Sequence, residues 1–144
     1  MGHRVLRASE SFWRPSNAMK VANTDLAKQL EATRLGARFW RLEPGQASTK
    51  HRHREVEELY VVIEGTGRMR LADEVLTLEV RDCVLVDAPT VRQVFNDTDT
   101  LQLWLVVGAP TEAANTLEMT AEDLAWYYPD GTTALPPELT GEAG

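Results

Sequence analysis

The sequence predicts an all-β domain, an antiparallel sandwich or barrel, and three observations carry that expectation. Seven short apolar runs lie between Gly36 and Gly108, spaced about ten residues apart. Turn-forming residues separate them, as expected of strands and not of helices. No helical pattern fills the gaps, so crossover connections between parallel strands are excluded and the sheets are antiparallel.

In chain order, residues 1–34 are mixed. "RPSN" (14–17) reads as a turn, and "NTDLAKQLEATRLG" (23–36) as one short helix, with Asn23 or Thr24 as its cap and Gly36 after its end. The predicted strands are then "ARFWRLEP", "ELYVVIE", "GRMRLA", "EVLTLEV", "CVLVDAP", "VRQVFN" and "LQLWLVVG". Ala72–Glu74 and Asn96–Thr100 read as hairpin turns between neighbours. Past Pro110 the chain turns helical once, at "TAEDLAWYY" (120–128). Thr120 is the expected N-cap there, and Glu122 and Asp123 complement the dipole of the first turn. The tail from Pro129 onward is rich in proline and glycine and reads as extended, either lying over the barrel or a partner subunit or disordered. The whole chain, 1–144, is expected to be one domain with its barrel core at about 36–108.

Composition narrows the function. A net charge of −7, with no arginine-lysine stripe interleaved with aromatics, opposes binding to phosphate backbones, so nucleic acid is not an expected partner. No apolar run is long enough to span a membrane, and the first residues, "MGHRVLRASESF", lack a secretory pattern. A cytoplasmic location is expected. The single Cys83 cannot form an intrachain disulfide and, within the apolar "CVLV", reads as a small buried hydrophobe. The glycosylation sequon at Asn96 carries no weight without a secretory route.

"KHRHREVEELYVVIEG" (50–65) carries the chemistry. Side chains alternate along a strand, so His51 and His53 share one face, with Lys50, Arg52 and Arg54 on the other. Glu58 has the opposite parity. It can join the histidines only if the chain turns between Arg54 and Glu57. Two imidazoles and one carboxylate would then meet in a site that leaves coordination positions open and suits divalent iron, manganese, nickel or zinc.

The spacing around these residues is specific: Gly45, five residues, His51, one residue, His53, four residues, Glu58, six residues, Gly65. It resembles the first motif of the cupin superfamily with every defining position filled. The resemblance implies a jelly-roll barrel whose mouth holds a metal bound by these two histidines, this glutamate and a third histidine. The second cupin motif is degenerate. In "RDCVLVDAPTVRQVFN" (81–96), aligned on Asn96, the third histidine is Arg92, the early glycine is Arg81, the proline is Asp87, and Pro89 replaces the later glycine. The one remaining histidine is His3.

A guanidinium has no lone pair for a metal. Arg92 either bridges Glu58 and takes over the carboxylate, or leans away and serves as an anchor for an anionic oxygen. Tyr60 shares the face of Glu58 and is a second candidate for contact with a ligand, although packing is the commoner role of such a residue. Gln93, of opposite parity to Arg92, should point away from the interior. Arg38 and Arg41 fall on opposite faces of their strand and read as paired surface residues. Met69, Phe95 and Trp104 read as core or pocket walls. Trp126–Tyr128 is expected to cover a barrel end or a dimer seam, and a homodimer is expected from open strand edges and family habit.

The resulting expectation is a small cupin holding a metal at His51, His53 and Glu58, with a small anionic or oxygen-rich ligand. It could act as a dioxygenase, isomerase or decarboxylase, or serve as a metal-free binding module, or keep only a vestigial site in a structural dimer.

Overall fold

The computed structural model describes residues 2–113 and 115–141. A 3-10 turn at Ala8–Glu10 precedes β1 (Arg14–Pro15) and β2 (Ala22–Asp25), and α1 (Leu26–Gln29) follows directly. Seven further strands come next: β3 (Gly36–Leu42), β4 (Glu57–Glu64), β5 (Gly67–Leu71), β6 (Glu74–Leu78), β7 (Cys83–Val86), β8 (Arg92–Phe95) and β9 (Gln102–Ala109). α2 (Ala121–Tyr127) and α3 (Pro137–Thr140) complete the chain. No helix among the described residues is long and apolar enough to cross a membrane.

All strand pairs are antiparallel. They form a sheet of order β1-β2-β3-β9-β4-β7 and a smaller one of order β6-β5-β8. Both faces are needed to enclose the core. Inward residues of the large sheet, Leu42, Tyr60, Val62, Val86, Trp104 and Val106, meet Met69 and Val94 of the small one. The expectation of an all-β antiparallel jelly roll with short terminal helices holds, and all seven expected strands are present.

The small sheet is extended by the loop before β4. Residues 46–51 run antiparallel to β8 through Asn96 N–H to Gln46 O (2.8 Å), Ser48 N–H to Val94 O (2.9 Å) and a reciprocal pair between His51 and Arg92 (3.0 and 2.8 Å). Asn96 also donates from its side chain to the carbonyls of Leu42 and Thr100. It is fully buried, so the sequon there is inaccessible.

Several local expectations need correction. Residues 22–25 form a strand, not the start of a helix, because they pair with Arg38–Arg41 of β3. The helix shrinks to one turn, capped by Asp25, whose carboxylate accepts from Lys28 N–H. Asn23 is buried and occupied with Arg38, which also pairs with Asp25 at 2.9 Å. Residues 96–100 do turn the chain, but they carry it from the small sheet to the large one, so no hairpin forms there. Gly65 and Gly67 likewise lie where the chain passes from the large sheet to the small one. Cys83 is exposed, because β7 is the outer strand of its sheet and none of the described residues covers the face that Cys83 shares with Leu85 (63% exposed). The tail crosses the small sheet: Gln93 points outward but is buried beneath it, donating to Ala134 O, and Arg70 is gripped by Glu138 at 2.6 and 3.1 Å. The expected tail residues 142–144 lie outside the described part.

Candidate metal centre

The site forms where the 46–51 segment, β4 and the 87–92 turn converge. Backbone pairing with Arg92 fixes His51, and His53 N–H donates to Ala88 O at 2.8 Å. Between them the alternation expected from the sequence is realised. The rings of His51 and His53 lie 4.9 Å apart, edge to face, while Arg52 and Arg54 point the other way and stack on Trp126 at 4.3 and 4.4 Å. Those cation–π contacts dock α2 against the histidine segment.

The chain then bends at 54–55 and enters β4, where Glu58 faces inward opposite Gly108 and Val86. Gly108 makes room for it: a Cβ there would sit 2.8 Å from Val56 and 3.3 Å from Cγ of Glu58. One ligand atom from each of His51, His53 and Glu58 lies within 4.8 Å of the others. The Nε2 atoms of His51 and His53 stand 3.7 and 3.4 Å from the same oxygen of Glu58.

Protonation follows from the partners. Nδ1 of His51 lies 2.8 Å from the carbonyl of Thr49, which can only accept, so the neutral ring carries its proton on Nδ1 and turns the Nε2 lone pair toward Glu58. Burial pushes the Glu58 carboxyl up, but hydrogen bonds and positive charge from the two imidazoles in their doubly protonated form outweigh it and hold the group far below the usual carboxylate range; a metal held by the neutral rings would supply that positive charge in their place. The Tyr60 hydroxyl donates to Glu58 at 2.8 Å; its own pKa is driven well above the ordinary value by burial and then by the neighbouring carboxylate. Tyr60 also packs edge to face on Trp104, so it combines the packing and site roles.

Arg92 is completely buried and stands beside the carboxylate without gripping it. Its Nη1 is 3.9 Å from Glu58, too long for a bidentate bridge, and its Nη2 donates to Asp87 O at 2.7 Å. Its Nε is buried without a hydrogen-bond partner among the described residues. Arg81 stands where the second motif has glycine, and it adopts φ +75°, a left-handed backbone suited to that glycine. Phe95, Met69 and Trp104 are core. Tyr127 and Tyr128 approach His53 and His51, with ring centroids 6.2 and 6.5 Å away, so the aromatic run covers the end of the barrel that holds the site.

Sequence reasoning missed Gly108 and Glu112. Gly108 could have been found from its place in a strand otherwise rich in bulky residues. Glu112 follows the strand in an irregular segment with no periodicity to mark it.

The family model described as Cupin domain matches residues 38–108, the stretch that supplies the triad, Arg92, the small sheet and all of the large sheet but β1, β2 and the outer ends of β3 and β9. The chain is a member of the cupin superfamily. Among solved structures, this cupin is similar to a sugar phosphate isomerase from a cupin superfamily of Silicibacter pomeroyi, at 25% identity and a TM-score of 0.68, over 75% of this chain and 76% of that one. It shares its fold with a predicted oxalate decarboxylase of Thermotoga maritima (21% identity, TM-score 0.66, 75% of this chain and 100% of that one). A cupin protein of Bacteroides fragilis matches over 94% of this chain and 99% of its own, at 18% identity and a TM-score of 0.64. No curated protein matches this chain.

Proposed function

We propose that this cupin binds a divalent metal through Nε2 of His51, Nε2 of His53 and the carboxylate of Glu58, and that Arg92 orients a small anionic ligand beside it. The observation that carries the reading is the convergence of one ligand atom from each of the three residues within 4.8 Å, together with the Thr49 carbonyl that holds the proton on Nδ1 of His51 and leaves its Nε2 lone pair free for a metal. Lone pairs and a negative oxygen crowded this closely repel unless a cation joins them. Iron, manganese, nickel and zinc all suit two imidazoles and one carboxylate.

A bound metal would supply Lewis acidity toward a carbonyl or carboxylate oxygen. The chain's own residues do the rest. Tyr60 holds the Glu58 carboxylate in place through its hydroxyl, and Arg92, positive and with an unused N–H, offers a fixed donor for an oxyanion. The net positive charge of a divalent metal with Arg92 favours an anionic substrate, and the Silicibacter neighbour, a sugar phosphate isomerase, acts on a substrate of that kind. Isomerisation, decarboxylation and dioxygenation of a small oxygen-rich anion remain the reactions this set of residues supports. A second reading, a metal-free anion-binding module, is favoured by the orphaned Nε of Arg92 alone.

Metal analysis of protein purified without a histidine tag separates the two. One equivalent of a divalent metal, lost in His51→Ala, is expected; metal-free wild type would leave the second reading. A homodimer belongs to the same proposal, through the open edge of β7 and its exposed Leu85. Light scattering should then give twice the chain mass of 16.1 kDa, and a monomer mass would remove it.

A further inference from the structure

Glu112 lies outside the matched cupin segment, and the metal reading makes no use of it. Its side chain is only 10% exposed. Oε1 accepts from Glu55 N–H at 2.7 Å and Val56 N–H at 3.3 Å, and Oε2 accepts from Arg54 N–H at 3.0 Å. These three amides form the bend that returns the chain from the histidines to Glu58. The same Oε2 is 3.5 Å from Nδ1 of His53, a buried atom with no other polar partner among the described residues.

We propose that Glu112 is the positioning residue of the triad. It holds the 54–56 bend closed, and by facing Nδ1 of His53 it keeps the ring proton on that nitrogen, so that Nε2 presents its lone pair toward Glu58. A carboxylate can only accept, so a neutral imidazole facing one carries its proton on the facing nitrogen. Thr49 does the same for His51 with a backbone carbonyl. The two ligands are thus oriented by different devices, one within the motif and one beyond it. The purpose of this orientation rests on the metal reading; the geometry does not.

Glu112→Gln separates the two tasks. The amide oxygen, in the place of Oε1, can keep Glu55 and Val56 N–H and also Arg54 N–H, which lies 3.2 Å from Oε1, whereas the amide nitrogen, a donor, would face Nδ1 and force it to accept. The proton then moves to Nε2, the atom a metal needs. The test is two-bond proton–nitrogen NMR on the full tag-free chain labelled with ¹⁵N-histidine at pH 8, alongside zinc titration by calorimetry. The wild type should show His53 protonated on Nδ1, and Glu112→Gln should show it protonated on Nε2, with zinc bound about 10–100-fold more weakly and a nearly unchanged thermal midpoint.

A wild-type His53 protonated on Nε2 overturns the proposal, even if the variant does not fold. So does a variant whose tautomer or zinc affinity matches the wild type. A chain that takes up no zinc yet shows the tautomer exchange would sink the metal reading and uphold the role of Glu112.

Discussion

Gly45–Gly65 and Arg81–Asn96 lie side by side, joined where His51 pairs with Arg92, yet they have diverged in opposite respects. The first stretch keeps both its donors and its glycines. The second keeps a backbone path while exchanging the side chains. Arg81 accepts φ +75° without being glycine, Asn96 still ties the loop ends together, and position 92 still faces the site but carries a guanidinium. Register and hydrogen bonding depend on the main chain and tolerate such exchanges, whereas metal ligation depends on lone pairs and does not. The fold can therefore persist while the chemistry at the site shifts from a fourth ligand to a fixed positive charge.

The largest expected effect breaks the first region. A Cβ on Gly65 would stand about 2.1 Å from the carbonyl oxygen of Leu101, on a residue at φ +75°. Both the clash and the strain fall on backbone, which cannot step aside. Gly65→Ala should cost at least about 4 kcal/mol in denaturant unfolding or prevent folding altogether. An unfolding midpoint close to that of the wild type would show that the two regions are equally tolerant.

A smaller effect sharpens the contrast from the other side. Arg92→His places an imidazole opposite His51 and removes a cation from beside the metal. Zinc affinity measured by calorimetry should rise about 10–100-fold, worth about 1.4–2.8 kcal/mol. Stability without metal should fall by about 1–2 kcal/mol, because the carbonyls of Asp87 and Ala88 lose their donor. Unchanged or weaker zinc binding would mean that position 92 does not point into the site once its charge is gone.

Much of this was legible in the sequence because the relevant signals are local. Alternation in "ELYVVIE" and "LQLWLVVG" reported strands, and alternation in "HRHR" reported which side chains share a face. Thr120 capped its helix as expected, accepting from Asp123 N–H at 3.1 Å. The failures are tertiary. Residues 22–25 have helix-capping chemistry but gain more from pairing with β3. The exposure of Cys83 depends on which strand ends a sheet, and a strand's own residues do not state that. The outcome at Arg92, between bridging Glu58 and leaning back, was decided by two carbonyls of a turn whose path the sequence did not reveal. Glu112 is the extreme case. It is 54 residues from the carboxylate whose approach it governs, and its isolated acid resembles any of the 22 in the chain.

The central claim is that the two imidazoles and Glu58 form a ligand set despite the arginine beside them. Zinc titration of the tag-free wild-type chain, with His51→Ala as control, tests it most directly. One equivalent bound by the wild type and none by the variant is the expected result. Equal binding by both, or by neither, would contradict it.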